Sequence, residues 1–335
     1  MKYILSFISI LAFAFVTNRS YGQDCGIRTL DPEVAAFLKI VGYKDQTLEQ
    51  LRNTPVEVLK YPQLPVLPYP KEDMLRLKVT GDSIPVLVFN PLHQTNLPVI
   101  IQYHGGGFIS PLVKGLEYSL WQDAKTYGAI VFAVDYRVAP ENKFPAAVND
   151  SYNAFKWISV NAQEFGGDTS RLILMGNSAG ANLVAVITQK AKLEKISSRI
   201  RLQVLNGLPA DLRPSNMEKS FSYQQNATGY FQTKAMCYFA VENYAPGQSG
   251  DPSVSPVLAK DFTGLPPAVI VNAEFDPLRD DGILYATKLR SAGVKVWEKC
   301  FAGQIHCLIG LSEDSPPIQE YEMLVKTAMI SVFKK

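Results

Sequence analysis

Leu172-Ile173-Leu174-Met175-Gly176-Asn177-Ser178-Ala179-Gly180 is the stretch on which the reading of the fold turns. Four apolar residues run unbroken into Gly-x-Ser-x-Gly, and residues 179–193 then have the length and periodicity of a helix. This reads as a strand buried on both faces that turns directly into a helix. The pentapeptide alone is weak evidence, because ordinary Gly and Ser frequencies produce it in about one chain in ten of this length. Between a strand and a helix its spacing acquires a physical reason. So sharp a turn puts Ser178 in strained backbone angles, and the residues two before and two after must be small to avoid collision. The serine oxygen then stands at the carboxyl edge of a sheet, beside a helix N-terminus that favours negative charge. Ser178 is therefore a candidate nucleophile.

The same grammar extends on both sides. Short apolar runs at residues 99–103, 130–134, 202–205, 269–272 and 294–297 alternate with longer helical stretches at 146–165 and 278–292. Alternation of this kind predicts an α/β fold, a mostly parallel sheet with helices on both faces. Ahead of it, residues 74–92 read as an antiparallel hairpin turning at Gly81-Asp82. Two stretches fit poorly: residues 23–70, with a Pro-rich part at 61–70, and residues 207–250, polar, aromatic and punctuated by Gly and Pro. Both are expected to cap the end of the sheet over one catalytic domain, residues 23–335. Tyr and Phe within residues 221–244 are read as cap packing.

A second motif, His104-Gly105-Gly106-Gly107-Phe108, follows the run at 99–103 directly. Acyl transfer passes through a tetrahedral oxyanion that needs preplaced N–H donors. Consecutive glycines let the backbone approach that oxygen with no side chain in the way. Gly106 and Gly107 are assigned as donors, joined by the amide of Ala179. A serine hydroxyl also needs a histidine to take its proton and a carboxylate to orient that histidine. The chain has three histidines. His93 lies before the sheet grammar begins and is read as a surface residue, and His104 as a structural hydrogen-bonder. His306 follows the last apolar run, in a loop after a strand expected over 294–300, and is the candidate base. Asp276 follows the run at 269–272 and is the candidate acid, with Glu274, Asp280 and Asp281 as rivals.

The 335-residue chain carries a formal charge of +2. Lys2 and Arg19 lie in an N-terminal stretch without acids, and the remainder has equal numbers of acids and bases. No basic stripe suggests nucleic acid as a partner. Lys2, an apolar run over 3–16 and small residues at Ser20 and Gly22 read as a signal peptide over residues 1–22. A secreted or periplasmic protein is expected, with no integral membrane segment after cleavage. Cys25, Cys237, Cys300 and Cys307 allow three full pairings, among which the sequence does not choose. None of their spacings suggests a metal, and no cofactor is expected. A homodimer is compatible with the sequence. Asn226-Ala227-Thr228 would accept a glycan if the source were eukaryotic.

Together these residues resemble the hormone-sensitive-lipase-like esterases, bacterial esterase family IV of the α/β-hydrolase superfamily. The resemblance covers about residues 98–311 and rests on five motifs in order. Beside the two glycine motifs it includes Asp135-Tyr136-Arg137-Val138-Ala139-Pro140-Glu141, Asp251-Pro252-Ser253-Val254-Ser255-Pro256 and Asp276-Pro277-Leu278-Arg279-Asp280. It implies an eight-stranded, mostly parallel sheet with a helical cap, and short- to medium-chain acyl esters cleaved through an acyl-enzyme. It also implies the triad order Ser178, Asp276, His306 and an oxyanion hole of Gly105, Gly106, Gly107 and Ala179. Arg137 and Glu141 are expected to hold a loop. The departures are Asn177 where the family has Asp, Ala181 where it has Gly, and Cys307-Leu308 where Gly-Phe often follows the histidine. The alternatives are a deacetylase or amidase acting on acylated small molecules or sugars, and a non-catalytic small-molecule receptor. The presence of His306 speaks against the receptor.

Overall fold

The apolar runs become one eight-stranded sheet, ordered β1-β2-β4-β3-β5-β6-β7-β8. Its strands are β1 (Met74–Val79), β2 (Ile84–Phe89), β3 (Leu97–Tyr103), β4 (Ile130–Val134), β5 (Gly167–Asn177), β6 (Ile200–Asn206), β7 (Ala268–Phe275) and β8 (Val296–Ile305). β2 pairs antiparallel with β1 and β4, and every pairing from β4 across to β8 is parallel. This computed structural model describes residues 25–26, 29–60, 65–80 and 83–334. The expected signal peptide, the Gly81-Asp82 turn and residues 61–64 of the Pro-rich stretch lie outside the described residues.

The helices are α1 (Pro32–Ile40), α2 (Leu48–Asn53), α3 (Val56–Lys60), α4 (Glu117–Tyr127), α5 (Ala146–Asn161), α6 (Ala179–Leu193), α7 (Pro214–Met217), α8 (Phe221–Gln225), α9 (Lys234–Tyr244), α10 (Arg279–Ser291) and α11 (Pro316–Phe333). Side chains alternate across each strand. Val99, Ile101 and Tyr103 of β3 pack into a core with α5, α6 and α10, while Ile100 faces a second core built with α4 and α11. Helices on both faces are why β4 and β7 are buried along their whole length and why their sequences carry no polar alternation.

Several boundaries differ from the sequence reading, among them β5, which begins at Gly167 rather than Leu172. The helical stretch at 146–165 ends as an α-helix at Asn161 and closes with a 3-10 turn, Ala162–Phe165. β8 begins at Val296 and runs to Ile305, so His306 stands at the end of a strand rather than well into a loop. A bulge hides this continuation. The β7–β8 register shifts between Ala273 and Phe275, and Gly303 has φ +74°.

The stretches at 23–70 and 207–250 contain α1–α3 and α7–α9. Leu51 of α2 and Phe239 of α9 share a small core with Ile109, and Arg52 pairs with Glu242. Lys60, at the end of α3, pairs with Glu141 at 2.6 Å. Arg137 binds Asp150 through both Nε and a terminal nitrogen, at 2.8 and 2.7 Å. Arg137 and Glu141 therefore act as ties for that loop. Phe108 stacks on Tyr244 with ring centroids 3.9 Å apart. Among the described residues no helix is long and apolar enough to cross a membrane.

Of the pairings open to the four cysteines, the structure forms Cys25–Cys300 and leaves Cys237 and Cys307 as thiols. The bond spans 275 residues of sequence, and long loops are where a cross-link most restricts the unfolded chain. Cys300→Ser should therefore cost about 2–5 kcal/mol, which in a chain of this size lowers Tm by roughly 3–7 °C. A calorimetric Tm within 1 °C of the parent would refute that expectation.

Candidate active site

The elbow is built as its spacing requires. Ser178 has φ +53° and ψ −121°, between the end of β5 and the start of α6. A Cβ on Gly176 would fall 2.3 Å from the carbonyl carbon of Gly180, and one on Gly180 would fall 1.9 Å from the carbonyl oxygen of Tyr103. Backbone meets backbone at both positions, so neither can yield to a side chain. The Ser178 N–H donates to the Asn206 carbonyl at 2.8 Å, which fixes the elbow against the end of β6.

Asp276 sits in the turn between β7 and α10, fully buried. Its Oδ1 accepts from the Leu278 N–H at 2.9 Å, and its Oδ2 lies 2.7 Å from Nδ1 of His306. The turn is held from outside by Asn226, whose Nδ2 donates to the carbonyls of Glu274 and Asp276, each at 3.1 Å. Burial opposes the imidazolium of His306, yet the Asp276 carboxylate, with Cys307 adding to it, carries the histidine pKa well above its ordinary 6.5. Nε2 of His306 is 3.4 Å from the Cys307 thiol, and that thiol also reaches the Asn206 carbonyl at 3.5 Å. Ser178 and Cys307, the residue after His306, thus meet the same carbonyl at the end of β6. Gly207 follows it with φ +62°, where a Cβ would come within 2.8 Å of the imidazole. β5, β7 and β8 deliver the serine, acid and histidine to one edge of the sheet.

The glycine loop lies beside this group. A Cβ on Gly105 would come 3.1 Å from the Asn177 carbonyl and 3.4 Å from Cβ of Ser178. Gly106 and Gly107 have φ of +110° and +61°. Among the described residues neither N–H is taken up by a backbone carbonyl. Ala179 is the first residue of α6, where an amide has no partner within its own helix. These groups can serve a developing oxyanion. Gly106→Ala would force a side chain into a conformation suited to glycine and within 2.7 Å of Cβ of Ser110. We expect it to lower kcat about 10²-fold with KM little changed, as measured by steady-state ester hydrolysis.

The remaining candidates fall elsewhere. His104 is buried and stacks on Tyr136 with ring centroids 4.1 Å apart. Its Nδ1 meets the Gly105 carbonyl at 2.8 Å, and burial lowers its pKa to about 4. A neutral, immobile ring suits a structural role. His93 is exposed and pairs with Asp73 at 2.8 Å. Asp280 accepts from the Ser222 N–H, Asp281 from Asp211 N–H and Asn216, and Glu274 from the Gly303 N–H. The carboxylate that the structure places on His306 is that of Asp276. Among the described residues no group of three or more His, Cys, Asp or Glu side chains comes together as a metal site.

A family model described as alpha/beta hydrolase fold matches residues 100–310. The chain belongs to this α/β-hydrolase family. Its resemblance to the hormone-sensitive-lipase-like esterases, read from the motifs, holds. It is similar to an arylesterase of Saccharolobus solfataricus, with 29% identity over 91% of this chain and 99% of the relative. It is also similar to the carboxylesterase NlhH of Mycobacterium tuberculosis, 37% identical over 64% of this chain and 67% of that one. Among solved structures, that of an arylesterase superposes with a TM-score of 0.75 at 29% identity, covering 91% of this chain and 99% of the other.

Two functional details escaped the sequence reading. Asn226, read as a conditional glycan acceptor, is fully buried with its amide nitrogen donating to the Asp276 turn, and so takes no glycan in the folded protein. Cys307, a departure from the family pattern, has φ +57° and ψ +22°. The residue after the histidine needs the left-handed region that suits glycine, and here a cysteine occupies it beside the imidazole.

Proposed function

We propose that the protein is a serine carboxylesterase acting on short- to medium-chain acyl esters. Ser178 is its nucleophile, His306 its general base and then acid, and Asp276 the orienting carboxylate. Gly105, Gly106, Gly107 and Ala179 form the oxyanion hole. The Asp276–His306 pair beside a serine elbow is the observation that carries this reading. His306 takes the Ser178 proton as Oγ attacks the ester carbonyl, and the amides receive the oxyanion. The imidazolium then protonates the departing alcohol, leaving an acyl-enzyme that water cleaves by the reverse sequence. Ser178 is half-buried and Gly106 exposed, so the reacting centre opens to solvent. The apolar leader and the Cys25–Cys300 disulfide support a secreted or periplasmic enzyme, because such bonds persist in oxidising compartments.

Hydrolysis of p-nitrophenyl acetate, butyrate, octanoate and palmitate, beside a matched butyryl anilide, tests the substrate class. Turnover highest for acetate or butyrate, with the anilide far slower, is expected. A faster anilide would make the enzyme an amidase, and a palmitate optimum would make it a long-chain lipase.

A further inference from the structure

The strands that carry Asp276 and His306 are joined by a buried carboxylate to which the reaction assigns no step. Glu274 is fully buried two residues before Asp276. Its Oε2 accepts a 2.8 Å hydrogen bond from the Gly303 N–H, and Gly303 lies three residues before His306. Gly303 is the positive-φ residue of the β7–β8 bulge. A bulge bends and twists the strand that carries it, so the conformation held at Gly303 sets the direction in which β8 presents its last residues.

The N-terminal arm closes over this point. A Cβ on Gly26 would fall 2.1 Å from Oε2 of Glu274 and 2.9 Å from Cβ of Ala302, so the arm backbone lies directly against the carboxylate. On one side of that contact the arm is anchored by Cys25–Cys300. On the other, the Asp31 N–H donates to the Gly303 carbonyl at 2.9 Å. Gly303 is gripped through its N–H by Glu274 and through its C=O by the arm. Beyond the bulge, Ile305 packs with Val34 of α1 and with Phe275, so the arm also contacts the residue before the histidine.

We propose that Glu274, seated under the disulfide-anchored arm, is a positioning residue for His306, and that the arm holds the bulge in the shape that aims the imidazole. This rests on the serine-esterase reading. A misplacement of the order of 1 Å in such a group costs up to about 10²-fold in rate, whereas an ordinary buried contact costs stability alone.

Glu274→Ala, Glu274→Gln and Cys25→Ser test it in the full chain, with kcat, KM and the pH dependence of kcat/KM on p-nitrophenyl butyrate. Glu274→Ala should lose about 10- to 100-fold in kcat with KM within about twofold, and its acid limb should move to lower pH as the histidine loses register with Asp276. Glu274→Gln keeps an acceptor for the Gly303 N–H and should recover most of the rate. Cys25→Ser should shift kcat and the acid limb in the same direction by a smaller factor. A lower Tm with kcat and pH profile as in the parent would overturn the proposal. Should Glu274→Ala fail to fold, Cys25→Ser decides by the same two readouts. Labelling of the parent by a fluorophosphonate separates the two readings, since a parent that neither labels nor turns over would fail as an esterase before any variant is compared.

Discussion

Ser178→Ala should fold like the parent and lose about 10⁴- to 10⁶-fold in kcat, the range found when a serine nucleophile is removed. Both halves follow from the elbow. Strain at φ +53° belongs to any residue that carries a Cβ, so alanine inherits the conformation without adding to it. The hydroxyl makes no capping bond to the start of α6, so its removal takes no support from the helix. What disappears is the oxygen proposed to attack. Amides able to hold an oxyanion remain, and they sustain some residual rate above solution. Calorimetry should give a Tm within about 1 °C of the parent, because a substitution that removes no cap, buried packing or backbone fit changes stability little. Labelling by a fluorophosphonate should vanish. Turnover within tenfold of the parent would place the nucleophile elsewhere.

The elbow was legible because its constraint is local. Nothing except glycine fits at Gly176 or Gly180, where an added carbon would overlap main-chain atoms, and such a constraint is visible in five letters. The strands were legible for a similar reason. A parallel sheet covered on both faces leaves continuous apolar runs, and those runs were in the text. His306 and Asp276 were found by elimination and by order along the chain, which works when a protein has few histidines.

What stayed hidden depends on distances between remote segments. Cys25 and Cys300 meet only because the arm crosses β7 and β8, and no spacing rule reports a pairing across 275 residues. The end of β8 beyond residue 300 was missed, since a glycine such as Gly303 marks a bulge and a strand end equally well. Asn226 offered a sequon to the reader and a buried amide to the structure, and only its burial separates the two. α7 and α8, of four and five residues, are too short for helical periodicity to emerge.

Asp276→Asn should lower kcat about 10⁴-fold and move the acid limb of kcat/KM to lower pH. The asparagine can keep the turn, because its oxygen can still accept from the Leu278 N–H as Oδ1 does now. Its amide nitrogen then faces Nδ1 of His306 as a donor. The imidazole answers by carrying its proton on Nε2, which leaves no lone pair for the serine. In the parent, burial opposes the imidazolium, but the Asp276 carboxylate and Cys307 hold its pKa above 6.5. Catalysis needs the neutral ring, so parent activity should fall as pH drops through that raised value. The linked stability has the opposite slope: a raised histidine pKa favours the fold below pH 6.5 and ceases to do so as pH rises through the raised value. Without the carboxylate, burial acts with only Cys307 against it, and both effects shift downward. A variant with near-parent kcat would remove Asp276 from the triad. Low activity with an unmoved acid limb would mean that the titrating group is not the histidine it faces.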